Sequence, residues 1–392
     1  MIERSQKAQI EKLVKHFPAV GIVGARQVGK TTLVKNLEPI LDKPCVYFDL
    51  ESPRVMAQLK ENSEWFLSQY QDKTVIIDEV QLMLELFPLL RSLIDENRVA
   101  GRFILLGSAS PTFLANSAET LAGRIAYLEL PSLQFPEVIS PEIDLKKHWF
   151  RGGFPDALLA INDDIWSLWQ ENFIKTYITR DLVNLGLNVS PTLLYNLMQM
   201  LTGIHGSTLI YSDLANSLNV NVKSITQTID VLEQAFLIRR LQPWFVNISK
   251  RVVKSPKIYY RDSGNLHYLS NIFNYDSLLR NKLIGHSWEG YVIEQICNAL
   301  HSSIKPYFYR TSNGAEMDLV LVKGITPVVC IEIKLSSANS LTRGTTEALN
   351  DLKTEHNFVI TTEGGNHFTR PEWKVCNLGE VFENLRELGY FE

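Results

Sequence analysis

The 392 residues, 45% hydrophobic and 21% charged, have ordinary soluble-protein composition and enough length for several domains of about 100–150 residues each. No run approaches the ~20 apolar residues a membrane helix needs, and the N-terminal stretch, charged from Glu3 onward, lacks the apolar core of a secretory signal; no membrane partner and a cytoplasmic location are predicted. A net charge of −4, from 39 basic and 43 acidic residues, excludes a globally basic nucleic-acid coat while leaving room for a local basic patch, and Cys45, Cys297, Cys330 and Cys376 form no CxxC pair, which argues against a disulfide scaffold or a zinc site and for buried small hydrophobes.

The first element is the apolar run Val20–Val23, followed by Gly24-Ala25-Arg26-Gln27-Val28-Gly29-Lys30-Thr31-Thr32 and the helical pattern LVKNLEPIL. Strand, glycine loop and helix in this order make the GxxxxGK[ST] phosphate-binding pattern. Gly24 and Gly29 let successive backbone N–H groups wrap a phosphate, and the helix turns its positive end to the same anion. Lys30 reaches the β- and γ-phosphates of ATP. Thr31, beside Thr32, supplies a hydroxyl to magnesium.

Thr74-Val75-Ile76-Ile77 then ends in Asp78-Glu79-Val80-Gln81, so two carboxylates close a buried strand where open α/β sheets bind ligands. Asp78 holds magnesium through its water shell and Glu79 polarises an attacking water. The strand Phe103–Leu106 runs into Gly107-Ser108-Ala109-Ser110, where Ser108, with Ser110 as the alternative, can sit between the acids and the γ-phosphate. Arg124 follows in Thr120-Leu121-Ala122-Gly123-Arg124, before the strand IAYLEL. In ATPases of the additional-strand class, which this order resembles, that connection often carries an arginine that reaches a neighbouring subunit's nucleotide; the alternative is a surface arginine paired with Glu119 or Glu129.

Farther along, Arg151-Gly152-Gly153-Phe154-Pro155 precedes the helical DALLAIN, and a helical lid is predicted from Trp166 to Leu201. Ser212 is predicted to cap a helix that turns at Asn219-Val220-Asn221 into a second one, with Ile225, Ile229 and Leu232 inward; this is a helix-turn-helix. Lys223, Ser224, Gln227 and Thr228 are predicted to be exposed and to meet bases or phosphates. Residues 235–261 carry Arg239, Arg240, Lys250, Arg251, Lys254, Lys257 and Arg261 without an acid, interleaved with Trp244, Phe245, Tyr259 and Tyr260. Such a strip on a β wing is the footprint of DNA or RNA phosphate contacts; a protein-contact role is the alternative.

The last part holds a helix over Leu283–Leu300 and strands at Tyr307–Arg310, Met317–Val322 and Val328–Lys334. Alternation puts Glu332 and Lys334 on one face, with Asp318 on the neighbouring strand. With Glu289 on the preceding helix they resemble the PD-(D/E)xK nuclease arrangement, in which Asp318 and Glu332 hold a metal that activates water and Lys334 balances charge. Glu294, five residues after Glu289 and about 140° round the helix, cannot share that face. The alternatives are a solvated Glu-x-Lys pair and a scaffold domain. His205 and His286 join no ligand cluster and are read as core or surface residues.

Taken with LAGR, YITRDL, KSPKIYYRDSG and WEGYV, these motifs resemble, over nearly the whole chain, the prokaryotic AAA+ ATPases with a C-terminal DUF4143 domain. The resemblance implies an α/β fold: a P-loop ATPase core (1–145), a helical lid (146–205), a winged helix (206–262) and a nuclease-like α/β domain (263–392). It implies ATP and Mg2+ as cofactors and ATP hydrolysis. With the helix-turn-helix and the basic strip, the reading is an ATPase coupled to nucleic-acid engagement and a possible homo-oligomer; the alternatives are an ATP-switched protein-interaction module with a scaffold C-terminal domain and an ATP-regulated metal-dependent nuclease. Pro155 is similar to the glycine-any-proline element that covers adenine in related signalling ATPases, and an ordinary loop is the alternative. LQFPEV departs from the family pattern at Gln134 and Val138, and no role is assigned to Glu137.

Overall fold

The computed structural model describes residues 2–108, 120–181, 189–245, 253–336, 341–364, 367–370 and 372–391. Ser110, Lys250 and Arg251 lie outside them. The chain divides into two units, one of Met1–Val138, Asp181–Leu187 and Asp230–Phe236, the other of Ile139–Arg180, Asn188–Ile229 and Leu237–Glu392. The segments expected as lid, helix-turn-helix and C-terminal domain thus fall largely within one unit.

The first unit is built on β1 (Ala19–Gly24), β2 (Cys45–Asp49), β3 (Thr74–Asp78), β4 (Phe103–Ser108) and β5 (Ile125–Glu129). They lie in the order β2-β3-β4-β1-β5, and every neighbouring pair is parallel. β1 and β3 are buried at every residue, which is why they read as continuous apolar runs rather than alternating ones. Leu86, Phe87, Leu90, Leu93 and Ile94 of the helix Leu86–Glu96 cover one face at helical spacing. This is a parallel α/β sheet of the P-loop ATPase kind. The strand that ends at Ser108 sits between the one ending at the glycine loop and the one ending at Asp78, so three motifs far apart in sequence finish side by side.

The second unit opens with helices. Asp144, Asn162 and Ser190 cap Leu145–Arg151, Asp163–Thr176 and Pro191–Gly203 through their side chains. Among the described residues the expected lid is therefore two helices, with a π turn at Tyr177–Asp181 following the first. Next come the helices Tyr211–Leu218 and Val222–Gln234, separated at a left-handed Asn219. Ser212 does not cap the first helix: its hydroxyl donates to Asp213. Asn221 caps the second by accepting the Ser224 N–H at 2.7 Å. A small antiparallel sheet follows, β6 (Ser207–Thr208), β8 (Lys257–Tyr260) and β7 (Ile238–Leu241), in that spatial order.

The last sheet has the order β13-β14-β12-β11-β10-β9, with β9 Ile304–Arg310, β10 Glu316–Lys323, β11 Thr326–Ile333, β12 His356–Ile360, β13 His367–Arg370 and β14 Trp373–Cys376. β9, β10 and β11 form an antiparallel meander, and the helix Arg343–Leu352 carries the chain over to β12, which pairs parallel to β11. The helix Ile284–Ala299 precedes the meander. The terminal helix Leu378–Glu387 starts on an Asn377–Glu380 capping box. Cys330 and Cys376 are buried and Cys45 and Cys297 only half-buried. Among the described residues no helix is long and apolar enough to cross a membrane.

Candidate functional site

β1 delivers the loop from Gly24 to Lys30 to the carboxyl edge of the parallel sheet. Gly29 is left-handed, with φ 94°, at the mouth of the helix Lys30–Leu37, a conformation that costs glycine nothing. A side chain on Gly24 would collide with the Leu130 carbonyl. The loop is braced from behind by Arg4, a buried residue outside every motif: its guanidinium donates to the carbonyls of Val28 (2.8 Å) and Pro131 (2.6 Å) and pairs with Glu137 at 3.2 Å. Glu137 in turn accepts the N–H groups of Ser5 and Gln134, each at 2.7 Å.

Lys30 is buried, and its ammonium donates to the carbonyls of Gly24 (3.1 Å) and Ala25 (2.9 Å). Burial lowers it to about 8, against the opposing pull of Glu79 and Asp78. Thr31 Oγ1 donates to Asp78 Oδ2 at 2.6 Å, a pair of hard oxygens of the kind magnesium takes while keeping most of its waters. Tyr47, from the middle of β2, donates to the same Oδ2 at 2.5 Å, and the Glu79 N–H donates to Oδ1 at 2.9 Å. Burial first, and the bond to Asp78 second, hold the Tyr47 phenol well above its ordinary value.

Glu79 stands in the left-handed region at φ 53°, a strained conformation of the sort that persists where surrounding contacts over-determine it. Its carboxylate accepts from Gln81 Nε2 and, at 3.4 Å, from the Ser108 hydroxyl; Gln81 also donates to Ser108 Oγ at 3.0 Å. The structure thus brings Gly24, Gly29, Lys30, Thr31, Asp78, Glu79 and Ser108 to one edge. Thr32 follows Thr31 on the same helix. Tyr47, Gln81 and Arg4 escaped sequence reasoning. For Gln81 the signal was there, two residues after Glu79.

Arg124 stands elsewhere. The Ala19 N–H donates to the Arg124 carbonyl at 3.1 Å, which fixes Arg124 at the amino ends of the strands, one strand length or roughly 17–20 Å from the glycine loop at about 3.3 Å per residue. Its guanidinium holds Asp95 in a two-pronged pair at 2.7 and 2.8 Å rather than Glu129, and Glu119 lies outside the described residues.

In the second unit, Pro155 starts the short helix Pro155–Leu158. The glycines before it join a buried network: the Gly153 and Asn265 N–H groups donate to Asp262 at 2.8 and 3.0 Å. Burial pushes Asp262 up to about 6, against those backbone donors. His267 Nδ1 meets the Phe150 carbonyl at 2.8 Å, so that nitrogen carries the proton and Nε2, 2.6 Å from Ser287 Oγ, accepts the hydroxyl's. His205 Nδ1 accepts the Tyr260 N–H at 3.0 Å. Burial lowers His267 to about 4 and His205 to about 3.

The basic strip is largely turned inward. Arg239 and Arg261 clasp the buried Glu294, both at 2.6 Å, and Arg240 donates to the Tyr211 hydroxyl at 2.9 Å. Lys257, Tyr259 and Tyr260 are buried. Lys223, Gln227 and Lys254 are exposed, whereas Thr228 is buried, its hydroxyl bonded to the Ser224 carbonyl at 2.8 Å. The continuous exposed strip and an exposed Thr228 are therefore corrected.

Glu289, Asp318, Glu332 and Lys334 do meet in the C-terminal sheet. Lys334 pairs with Glu332 at 2.5 Å, and Asp318 Oδ2 accepts the Ile333 N–H at 2.9 Å. Burial, with Glu332 and Glu289 nearby, holds Asp318 well above the carboxylate range. Glu289 goes the other way, to about 2: burial opposes ionisation, but Lys257 at 3.2 Å, His286 and Tyr259 outweigh it. Among the described residues no group of three or more His, Cys, Asp or Glu side chains is arranged to hold a metal.

Comparison with known proteins divides the chain into three matches: residues 16–139 to an AAA domain, 142–276 to a domain of unknown function (DUF8612) and 284–381 to another (DUF4143). Uncharacterized proteins of Mycobacterium tuberculosis and Mycobacterium bovis are each 36% identical over 350 residues, 89% of this chain and 78% of theirs. Among solved structures, a Walker-type ATPase of Pyrococcus abyssi is similar at 13% identity and a TM-score of 0.47, over 69% of this chain and 96% of that one.

Proposed function

Since the chain belongs to the AAA-family ATPases that carry a C-terminal DUF4143 domain, we propose that it binds and hydrolyses ATP with magnesium and couples its nucleotide state to engagement of DNA or RNA. The observation that carries the hydrolytic part is the meeting of Thr31 with Asp78 at 2.6 Å beside a Glu79 held by Gln81 and Ser108. In this reading the loop N–H groups and Lys30 bind the β- and γ-phosphates, Lys30 exchanging its bonds to the Gly24 and Ala25 carbonyls for phosphate oxygens. Thr31 and Asp78 hold magnesium, which neutralises charge on the transferred phosphoryl group. Glu79 orients the attacking water, with Ser108 and Gln81 fixing the carboxylate.

Nucleic-acid engagement is assigned to Lys223 and Gln227 on the second helix of the helix-turn-helix and to the basic residues Lys250, Arg251 and Lys254 of the strip that follows it in sequence. Two helices joined at a left-handed Asn219 and followed by the antiparallel β7–β8 pair favour a winged helix. The helix, three-strand meander, helix and strand of the last region favour a nuclease-like fold for the DUF4143 part; the assignment concerns the fold alone.

Calorimetry with ATP tests the core of the reading. Lys30→Ala should abolish high-affinity ATP binding, whereas Glu79→Gln should bind ATP and hydrolyse it slowly. Equal affinity of Lys30→Ala and the unaltered protein would overturn the assignment. Charge reversal of Lys250, Arg251 and Lys254 together should weaken nucleic-acid binding for all sequences alike and flatten its salt dependence; unchanged binding at two salt concentrations would turn the reading toward a protein partner.

A further inference from the structure

Lys257 opens β8 with a side chain 3% exposed, and its ammonium faces three carboxylates: Glu316 at 2.9 Å, Glu289 at 3.2 Å and Asp318 at 3.9 Å. The Phe308 ring lies beneath it, 5.6 Å away. Tyr259, on the same face of the strand, donates to Glu289 Oε1 at 2.6 Å. Three further acid oxygens of this pocket are engaged too. Asp318 Oδ2 accepts the Ile333 N–H, and Glu332 Oε1 accepts from Lys334 and Thr345. Glu289 Oε2 has His286 at 3.5 Å.

A divalent cation needs several oxygens converging at about 2.0–2.6 Å. Here they converge on a single-charged group with three N–H donors at hydrogen-bonding range. A metal entering between Glu289 and Asp318 would have to drive that ammonium out of its three-acid cage and strand it over an aromatic ring, while Lys334, paired with Glu332 at 2.5 Å, adds a second positive charge against the newcomer. The donor set is right for magnesium and the arrangement is not.

We propose that Lys257 is the resident cation of this acidic pocket: it stands where the nuclease-like arrangement would put a divalent metal, so the pocket takes no metal while Lys257 is present, and its acids fasten β8 to β10 and to the helix Ile284–Ala299. The inference rests on the second unit alone and survives a failure of the ATPase reading.

The test is a manganese titration of the full chain followed by electron paramagnetic resonance, in an Asp78→Ala background that silences the phosphate-loop metal. With Lys257 in place, adding Asp318→Asn should leave manganese binding unchanged. Adding Lys257→Met instead should create one site, at least tenfold tighter than the background, which a further Asp318→Asn removes. The proposal is overturned if the protein with Lys257 binds manganese in a way that Asp318→Asn abolishes, or if folded Lys257→Met gains no site. Should Lys257→Met fail to fold, the comparison made with Lys257 present decides by itself.

Discussion

Asp78 Oδ2 receives two hydroxyls, from Thr31 and from Tyr47. A carboxylate pinned this way cannot rotate, and its other oxygen, which accepts the Glu79 N–H at 2.9 Å, keeps a second lone pair for a metal's water shell. Tyr47→Phe removes one bond to a charged acceptor, a loss of about 1.5 kcal/mol, and should raise the magnesium concentration for half-maximal ATP hydrolysis roughly tenfold. Nucleotide binding in the presence of a chelator should not change. An identical magnesium profile for the variant would exclude a positioning role. Tyr47 was invisible in sequence because nothing in CVYFD marks which of its residues reaches Asp78; that follows from the parallel register, in which Tyr47 lies opposite Ile76 and its long side chain reaches two residues along to Asp78. Thr228 was legible and misread. The spacing that turns Ile225, Ile229 and Leu232 inward turns Thr228 with them.

Among elements, the parallel strands were readable as apolar runs that end in glycines or acids, because burial on both faces leaves no room for alternation. Their spatial order was not, since it depends on which strand inserts between which. That order decides what Arg124 can do. At the amino rim, a strand length from its own glycine loop, it can serve only the nucleotide of another copy. Arg124→Ala should therefore lower turnover, by up to about a thousand-fold if it acts on the transition state, with little loss of ATP affinity, and the specific activity of the unaltered protein should rise with its concentration. A strictly monomeric protein with concentration-independent turnover would eliminate this role. The basic strip shows the limit of sequence reading from the other side. Alternation along β7 and β8 gives a face for Arg239, Lys257 and Tyr259, but the acids they meet come from a helix and a strand farther along the chain.

The whole molecule should be sensitive to mild acid. His205 and His267 are held at about 3 and about 4, below the ordinary ~6.5. The unfolded chain therefore takes up protons that the folded one refuses, and the stability these residues lend, complete above about pH 7, drains away as pH falls from about 6.5 toward 4. Asp262, raised to about 6, and His286, raised by Glu289, act in the opposite sense, because the folded chain binds their protons more tightly. Asp318, likewise raised by burial, adds to this opposition, and the loss that the two histidines bring is about 2 kcal/mol each at pH 5 before that offset. Thermal unfolding at pH 7 and pH 5 should show it as a lower midpoint in acid, and His267→Gln should shrink the difference. Midpoints that coincide would mean that these histidines are not buried as neutral groups.

Lys257 lies in the stretch matched to one domain, residues 142–276, while Glu289, Glu316 and Asp318 lie in the stretch matched to another, residues 284–381. A boundary drawn between the two by sequence kinship therefore cuts through an ion cluster. A fragment beginning at residue 284 would inherit three acids without their base, and its counterpart a lysine without a cage. Neither half is self-sufficient in charge. Mixed together they should find each other by electrostatic attraction that fades as salt is added, so the autonomy implied by two domain labels is a property of ancestry rather than of folding.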